Sequence, residues 1–236
     1  MRPQPVQVEL TDSVRDYWIQ RLVQHNGDSY CGIAMSKFPE DLRVYEHLVW
    51  DTGVDHVIEV GTDAGGSALW FRDRLRTLRA YGRIDGFRVI SIDIDQSEAN
   101  ENLKAVDPRY ADDIVLVEAD VCDPQLRQRI DPLVPPGARS MVVEDSAHIF
   151  ETTMGALRSL SHLVPVGSYF VVEDGVVDVD ALRAVDGWPR GVTPAINAWL
   201  ESSEGQSFEP CRDLECYGLT CHPQGFLRRV RTVGAS

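Results

Sequence analysis

Two kinds of apolar segment alternate along most of this chain, and their alternation is the feature that most limits its fold. Short runs rich in β-branched residues occur at 56–60 (HVIEV), 87–95 (FRVISIDID) and 113–120 (DIVLVEAD). Each run is followed by a longer segment with the apolar spacing of a helix. Strands that alternate with helices form a parallel sheet covered on both faces. The sequence therefore predicts an α/β fold with a doubly wound, Rossmann-like and mostly parallel sheet.

The two ends of the chain depart from this alternation. Residues 11–25 and 39–53 have helical spacing, with cap-like residues before the first segment and a proline in the first turn of the second. They predict an N-terminal helical extension over residues 1–50, ahead of an α/β domain over residues 51–236. Near the other end, CYGLTCHPQGFLRRVR (216–231) predicts two antiparallel strands around a His-Pro-Gln-Gly turn.

The composition argues against several classes of partner. Asp and Glu number 37 against 23 Lys and Arg, and this charge of −14 disfavours nucleic acid and anionic membrane surfaces. No apolar run approaches the roughly 20 residues of a membrane span, and the N-terminal stretch MRPQPVQVEL lacks the apolar core of a signal peptide. We therefore expect a cytoplasmic protein whose oligomeric state the sequence leaves open, including assembly with copies of itself.

The scattered cysteines fit the same compartment. Cys211, Cys216 and Cys221 are evenly spaced beside His222, but they lack the C-x-x-C pair that is typical of structural zinc sites. Free thiols in a reducing compartment are the better interpretation.

A glycine-rich loop follows the first strand of the alternating region. Its spacing, G-x-x-x-G-G, differs from the G-x-G-x-x-G of dinucleotide-binding folds. Glu59 and Asp63 would repel a pyrophosphate, whereas they would attract the cationic amino-acid part of a ligand. The alternative is a tight strand-to-helix turn with solvated acids. On the first interpretation the cofactor contacts here are Glu59, Gly61, Thr62, Asp63, Gly65 and Ser67.

The next two strands also end in acids. Asp93 stands where nucleotide-binding folds hold the two hydroxyls of a ribose, with Asp95 just beyond it. Asp120, followed by Val121, is placed to accept a hydrogen bond from an adenine amino group. Each acid alone would more often be a helix cap. Together with the loop, they predict an adenosine that carries a positively charged tail, which is S-adenosylmethionine.

Two later strand-like runs end in the same four letters, VVED, at 142–145 and 171–174. If both runs are parallel strands of one sheet, their carboxylates emerge at the same edge. The repeat is then either a coincidence or an ion site.

Five segments in order resemble those of a known family: EVGTDAGGSALWF, ISIDID, EDSAH, GSYFVVED and GLTCHPQGFLRRV. They are similar to class I methyltransferases of the rhamnosyl O-methyltransferase and cephalosporin hydroxylase group, and macrolide-sugar methyltransferases share the acidic elements. The resemblance extends over about residues 28–233. It implies that S-adenosylmethionine and Mg²⁺ are bound, with Asp145, Glu173 and Asp174 as the metal ligands. Three carboxylates on adjacent strand ends independently suit Mg²⁺ or Ca²⁺.

The resemblance leads to a concrete expectation of function. We expect a metal-dependent O-methyltransferase that acts on a hydroxyl of a small glycoside, such as a rhamnose-like deoxysugar, in antibiotic or other secondary metabolism. His148 is the expected general base next to the catalytic metal ligand Asp145. The irregular stretch 176–199 is expected to form the substrate wall, with Trp188, Arg190, Asn197 and Trp199.

Four alternatives stay open at this point. Within the family, the chain would be an accessory protein of β-lactam methoxylation or would methylate an acceptor that is not a sugar. Outside it, the chain would be a Rossmann oxidoreductase or a ligand-binding module without chemistry. The charges of Glu59 and Asp63 disfavour the oxidoreductase, and a binding module has no need of His148 beside three carboxylates.

Overall fold

The computed structural model describes residues 13–183 and 187–232. Among these residues the α-helices are α1 (Val14–His25), α2 (Pro39–Thr52), α3 (Gly66–Ala80), α4 (Ser97–Val106), α5 (Leu126–Ile130), α6 (Phe150–Leu160) and α7 (Val192–Leu200). The strands are β1 (Ser29–Tyr30), β2 (Ile33–Ala34), β3 (His56–Val60), β4 (Arg88–Asp93), β5 (Ile114–Glu118), β6 (Ser140–Glu144), β7 (Tyr169–Val172), β8 (Phe208–Pro210) and β9 (Phe226–Arg229). None of the helices in these ranges combines the length and the hydropathy that a membrane span requires.

The central sheet has seven strands in the order β5-β4-β3-β6-β7-β9-β8. The first five in this order run parallel, and β9 and then β8 are added antiparallel at one edge. The chain order reverses at β3, which lies between β4 and β6. In open α/β sheets the crevice at this reversal, at the carboxyl ends of the strands, is where ligands bind. The predicted doubly wound, mostly parallel sheet is confirmed.

The strand interiors are apolar on both faces, as a sheet covered on both sides requires. Val57 and Met141 belong to the core on one face, and their neighbours Ile58 and Val142 belong to the core on the other. All four side chains are fully buried. The β-branched runs of the sequence are therefore the floor of the site, and the polar residues that follow them emerge at its edge.

The N-terminal region packs directly onto this domain. Ser13 caps α1 by accepting the backbone N–H of Asp16 at 3.2 Å. Helix α2 ends at Gly53, which takes up the left-handed conformation with φ 61° that favours glycine. It buries Val44 and Tyr45 in the same core as α3. The Tyr45 hydroxyl donates to Glu173, which directly follows β7, so this helix reaches the carboxyl edge of the sheet. The first twelve residues of the expected extension lie outside the described residues.

The C-terminal antiparallel pair is present, but one of its strands differs from the prediction. Strand β9 pairs with β8, formed by residues 208–210, with Phe208 opposite Arg229. Residues 216–225 are instead an irregular connection, because their polar groups bond to helix α2 and to the turn after β7. The backbone N–H of Cys221 donates to Asp41 at 2.9 Å, and the ring of His222 accepts from the backbone of Asp174.

The two VVED copies are paired with a stagger of one residue. Val142 lies opposite Phe170 and Glu144 opposite Val172, although the repeated letters are offset by one residue more. Asp145 therefore follows beside Glu173, whose backbone N–H donates to the carbonyl of Glu144 at 2.8 Å. Because successive side chains of a strand point to opposite faces, Glu144 points away from Asp145. Glu144 is buried, and it accepts the hydroxyl of Ser146 at 2.6 Å instead.

Candidate active site

A cavity of about 930 Å³ lies over the carboxyl ends of β3, β4 and β6, at the reversal of strand order. Its walls include α1, the segment between β2 and α2, the glycine loop and the stretch after β7. Of the nine predicted cofactor contacts, seven line it: Gly61, Thr62, Asp63, Ser67, Asp93, Asp120 and Val121. Seven of the nine residues that the sequence assigned to the cofactor therefore share one cavity, and their contact with the cofactor stays a prediction.

Two glycines of the loop are required by close contacts with other backbone segments. A Cβ on Gly61, which has φ 94°, would lie 1.9 Å from the carbonyl oxygen of Asp145. A Cβ on Gly66 would lie 2.2 Å from the carbonyl oxygen of Ala34. The loop is therefore held between the end of β6 and the small β1–β2 hairpin, and it fixes the cavity floor.

Asp93 holds the glycine loop as well as lining the cavity. One of its carboxylate oxygens accepts the backbone N–H groups of Thr62 and Asp63 at 2.8 and 3.0 Å. The other accepts the N–H of Ile94 at 2.7 Å. The carboxylate is thereby fixed in one orientation at the tip of β4. Such preorganisation is what a ribose-binding acid needs, because little freedom is lost when the ligand arrives.

Glu59 and Gly65 lie behind the lining residues. Glu59 is fully buried and accepts the hydroxyl of Ser91 at 2.7 Å. Burial raises its pKa, although the charge of Lys37 acts in the opposite direction. Gly65 faces Ala99 of α4. The geometry gives these two residues a supporting position under the loop, where the sequence had suggested direct contact.

Two carboxylates and an imidazole converge on the side of the cavity that follows β6 and β7. Asp145, His148 and Asp174 each place one ligand atom within 4.8 Å of the others. The Nε2 atom of His148 lies 3.3 Å from a carboxylate oxygen of Asp174. Both residues have positive φ, 54° and 56°, in the left-handed region that non-glycine residues seldom occupy. Backbone strain of this kind is concentrated at functional sites. The donor set is one that divalent cations accept.

Glu173, the third predicted metal ligand, lies outside this group in the structure. It is buried, and one of its oxygens accepts Lys37 Nζ at 2.6 Å and the Tyr45 hydroxyl at 2.5 Å. Burial alone would raise the pKa of Glu173, but the charge of Lys37 and the hydrogen bonds from Lys37 and Tyr45 lower it. Glu173 is therefore a carboxylate held in its charged form beside the cluster.

Lys37 also contacts Asp145. Its Nζ donates to one carboxylate oxygen of Asp145 at 2.7 Å, so that a single ammonium joins two of the three predicted metal ligands. Burial lowers the pKa of Lys37, but the charges of Asp145 and Glu173 outweigh it and hold the pKa above its usual value. The side chain of Asp145 remains one-fifth exposed toward the cavity. Burial and the charge of Glu173 raise its pKa.

His222 supports the same edge from the C-terminal connection. Its Nδ1 accepts the backbone N–H of Asp174 at 3.1 Å, so the ring hydrogen is on Nε2. That nitrogen lies 3.6 Å from oxygens of both Asp41 and Glu173. His222 is almost fully buried. Its position fixes the backbone turn that presents Asp174 to the cavity.

Sequence reasoning did not identify Lys37 or His222 as site residues. Both lie far along the chain from the VVED strands, and their approach depends on tertiary packing. One signal was present for the first: of 23 basic residues only Lys37 and Lys104 are lysine, and the others are arginine. For His222 the sequence offered its place in the GLTCHPQGF segment and no more.

The predicted substrate wall is corrected for three of its four members. Trp188 lines the cavity, with its ring 6.4 Å from that of His148. Trp199, in contrast, is buried in the core against Phe170 and Phe208. Since α7 packs on α6, its outward positions face solvent, and Asn197 lies there. Arg190 forms an ion pair with Asp180 outside the cavity lining.

All five cysteines are free thiols.

This architecture, with five parallel strands, an antiparallel edge pair and a glycine-loop cavity at the strand reversal, is a Rossmann-like methyltransferase fold. The apo structure of CmcI superposes on it with a TM-score of 0.64 and 22% identity, covering 98% of this chain and 91% of CmcI. MycE methyltransferase from the mycinamycin pathway, solved with Mg, SAH and mycinamycin VI, gives a TM-score of 0.53 at 16% identity. That match covers 82% of this chain and 50% of MycE.

The family is then given by the sequence itself. The model of the Rhamnosyl O-methyltransferase/CmcI family matches residues 23–230, and the chain belongs to this family. The rhamnosyl O-methyltransferase of Mycobacterium tuberculosis H37Rv is 28% identical over 205 residues, which are 85% of this chain and 78% of that protein. The rhamnosyl O-methyltransferase of Mycobacterium leprae is 26% identical over 93% of this chain and 92% of its own length.

Proposed function

We propose that this protein transfers a methyl group from S-adenosylmethionine to a hydroxyl of a small glycoside, with a divalent metal ion at the site. The observation that carries the proposal is the arrangement of one cavity. Its lining combines the glycine loop, Asp93 and Asp120 with the cluster of Asp145, His148 and Asp174. A site for an adenosyl cofactor and a site for a cation therefore open into the same space.

The cofactor proposal is supported by the charge and shape of the loop side. Asp93 is oriented by backbone amides, and Asp120 lies at the tip of the neighbouring strand. Gly61 and Gly66 line the cavity, and their close packing against the backbone of Asp145 and Ala34 fixes the loop beside it. Solved structures of CmcI with Mg and SAM, and with SAH, share this fold at TM-scores of 0.59 and 0.62 and 21% identity.

The metal proposal keeps Asp145, Glu173 and Asp174 as ligands and adds His148 as their neighbour. Asp145 and Asp174 already place carboxylate oxygens within a few ångströms of each other, and Glu173 is next to Asp145 across the strand pair. A bound Mg²⁺ would lower the pKa of a hydroxyl and fix its orientation. The acidic donor set fits such an ion, because hard cations prefer carboxylate oxygens.

In this proposal His148 removes the proton of the acceptor hydroxyl. It lines the cavity, its side chain is about one-quarter exposed, and Asp174 orients the ring through Nε2. A positioned base of this kind typically accelerates the proton transfer by 10²–10⁴-fold. Asp145, as a ligand of the proposed metal ion, would help to position the acceptor hydroxyl. Alignment of that hydroxyl with the methyl donor contributes the rest of the rate through proximity.

The acceptor proposal rests on Trp188 and on the names of the relatives. The indole lies beside His148, where a flat aromatic surface would pack against one face of a sugar ring. The mycobacterial relatives are named rhamnosyl O-methyltransferases, and MycE was solved with a macrolide. We propose a rhamnose-like deoxysugar in secondary metabolism, including antibiotic biosynthesis, as the first class of acceptor to test.

The test is transfer of a labelled methyl group from S-adenosylmethionine to a panel of rhamnosides, macrolide glycosides and simple catechols. We expect label on one or more glycosides, loss of transfer in EDTA and recovery with Mg²⁺. Asp174→Asn should abolish transfer, whereas the surface variant Asp123→Asn should retain it. Transfer to catechols alone would overturn the sugar assignment, and full transfer in EDTA would overturn the metal.

A further inference from the structure

The ammonium of Lys37 occupies the middle of the acidic edge. It lies on the segment between β2 and α2, is 3% exposed, and contacts Glu173 at 2.6 Å and Asp145 at 2.7 Å. The charge of Glu59 also acts on it. Among the described residues, Lys37 is the cation paired with both Asp145 and Glu173, and the ring of His222 lies 3.6 Å from Glu173. Lys37 is thus the main positive charge that compensates the paired strand ends.

Lysine is an unusual choice of cation in this chain, which uses arginine at 21 of 23 basic positions. Lysine and arginine side chains differ in how readily they separate from a carboxylate. A guanidinium makes a planar, bidentate pair that is hard to separate, whereas an ammonium is a compact charge on a flexible four-carbon stem. An ammonium can therefore leave a carboxylate with a small movement of its stem.

We infer that Lys37 is an internal counter-ion that a divalent metal ion displaces from Glu173. This inference rests on the proposed metal site. Asp145 and Asp174 form the entry point, because their oxygens already lie within 4.8 Å of each other at the cavity. The oxygen of Glu173 that accepts Lys37 also accepts the Tyr45 hydroxyl, so release of the ammonium removes the positive charge from that oxygen while the neutral hydroxyl remains. The released ammonium stays at the site, because Lys37 itself lines the cavity.

Two consequences distinguish this exchange from a purely structural lysine. First, metal binding must change the surroundings of the Lys37 ammonium directly. Second, Lys37 must weaken metal binding, because the ion has to compete with it for Glu173. A lysine that only braces the fold would have neither effect, since its contacts would persist with the ion bound.

The first consequence can be measured in the unmodified protein. With only two lysines, selective ¹⁵N-lysine labelling gives two side-chain ammonium signals, and Lys104→Met leaves the one from Lys37. Addition of Mg²⁺ should shift the Lys37 signal and leave that of exposed Lys104 unchanged. If Mg²⁺ binds, as calorimetry would show, and the Lys37 signal stays in place, the inference is wrong.

The second consequence is tested with Lys37→Met against the matched variant Lys104→Met. We expect Mn²⁺ to bind Lys37→Met at least 10-fold more tightly than the unmodified protein, and Lys104→Met to match the latter. In EDTA the melting temperature of Lys37→Met should be lower than that of the unmodified protein, and added Mn²⁺ should raise it again. Equal affinities in all three proteins would overturn the role of Lys37 alone. Absence of Mn²⁺ binding in all three would instead overturn the proposed metal site.

Discussion

The backbone N–H of Asp174 donates to the ring of His222 across 3.1 Å, joining segments that are 48 residues apart in the chain. Asp174 needs this support because its φ of 56° is an unfavourable conformation for a residue with a side chain. The hydrogen bond holds that turn, and the turn presents the Asp174 carboxylate to His148. The antiparallel C-terminal pair therefore does more than extend the sheet, since its connection positions a residue of the site.

The first prediction concerns His222. His222→Ala should lower the free energy of unfolding by about 1–3 kcal/mol, because the N–H of Asp174 loses its buried acceptor. Mn²⁺ affinity should fall about 10-fold, the lower end of the effect of residues that orient metal ligands. Chemical denaturation and calorimetry measure both. His162→Ala, which removes a histidine paired with Asp131, should leave metal binding unchanged. Equal Mn²⁺ affinity in the two variants would refute the role of His222.

The second prediction concerns the general base. His148→Ala should lower kcat by about 10²–10⁴-fold, while S-adenosylmethionine binds as before. Steady-state kinetics of the variant on the same acceptor measures the loss, and a variant that retains the rate would show that His148 only orients Asp174.

The third prediction separates two acids at the tip of β4. Asp93→Ala should weaken S-adenosylmethionine binding by about 1.5–3 kcal/mol, the scale of hydrogen bonds to a charged group. Asp95→Ala should change it little, because Asp95 is exposed and accepts the N–H of Ser97 at the start of α4. Calorimetric titration of both variants decides the matter. The reverse order of effects would assign the ribose to Asp95.

The fourth prediction tests the acceptor wall with two partly exposed tryptophans. Trp188→Ala should raise the KM for the glycoside about 5-fold, corresponding to the roughly 1 kcal/mol of an aromatic contact. Trp50 is similarly exposed but contacts Tyr81 and Arg83, away from the cavity. Trp50→Ala should therefore leave the KM unchanged. Steady-state kinetics on the best acceptor measures both KM values. Equal KM values for the two variants would contradict the assignment of Trp188 to the acceptor wall.

The fifth prediction follows from the buried carboxylate of Glu59. Since its pKa is raised in the fold, the folded state holds the proton at pH values where the unfolded chain has lost it. The free energy of unfolding therefore decreases as the pH rises above the ordinary range of a glutamate. Glu59→Gln cannot ionise, so its stability relative to the unmodified protein should be higher at pH 8 than at pH 5. Urea denaturation at both values tests this, with exposed Glu201→Gln expected to show no such difference.

The sequence predicted the parts of the molecule that local pattern controls. Helix α4 follows the strand run at 87–95 as the alternation predicted, and the strand tips supplied Asp93, Asp120 and Asp145 at the cavity. It could not predict which polar groups from distant segments approach these tips. Trp199 illustrates the limit, because a tryptophan near a site packs equally well into a core, and here the core accepted it.

The same limit applies to the charge balance of the site. Three acids at neighbouring strand ends indicate that a cation is needed, but several kinds of cation satisfy that need. The lysine and the histidine that contact these acids come from residues 37 and 222, one on each side of the parallel strands in the chain. Their approach to these acids depends on the packing of the folded chain, and the spacing of residues within the VVED segments does not predict it.

The one-residue stagger between β6 and β7 makes strand pairing itself a determinant of chemistry. If β7 slipped by one position, the letters of the two strand ends would coincide, and Asp145 would meet Asp174 while Glu173 moved to the opposite face. A hydropathy profile would hardly register the change, because valines would still face valines. The hydroxyl of Ser168, which donates to the carbonyl of Ser140 at 2.6 Å, and the close fit of Gly225 against Val172 oppose such a slip. In directed evolution of this enzyme, an insertion between the two strands could shift their pairing by one residue and still give a folded sheet. Variants of this kind are therefore screened best by testing which two acids are neighbours at the strand ends.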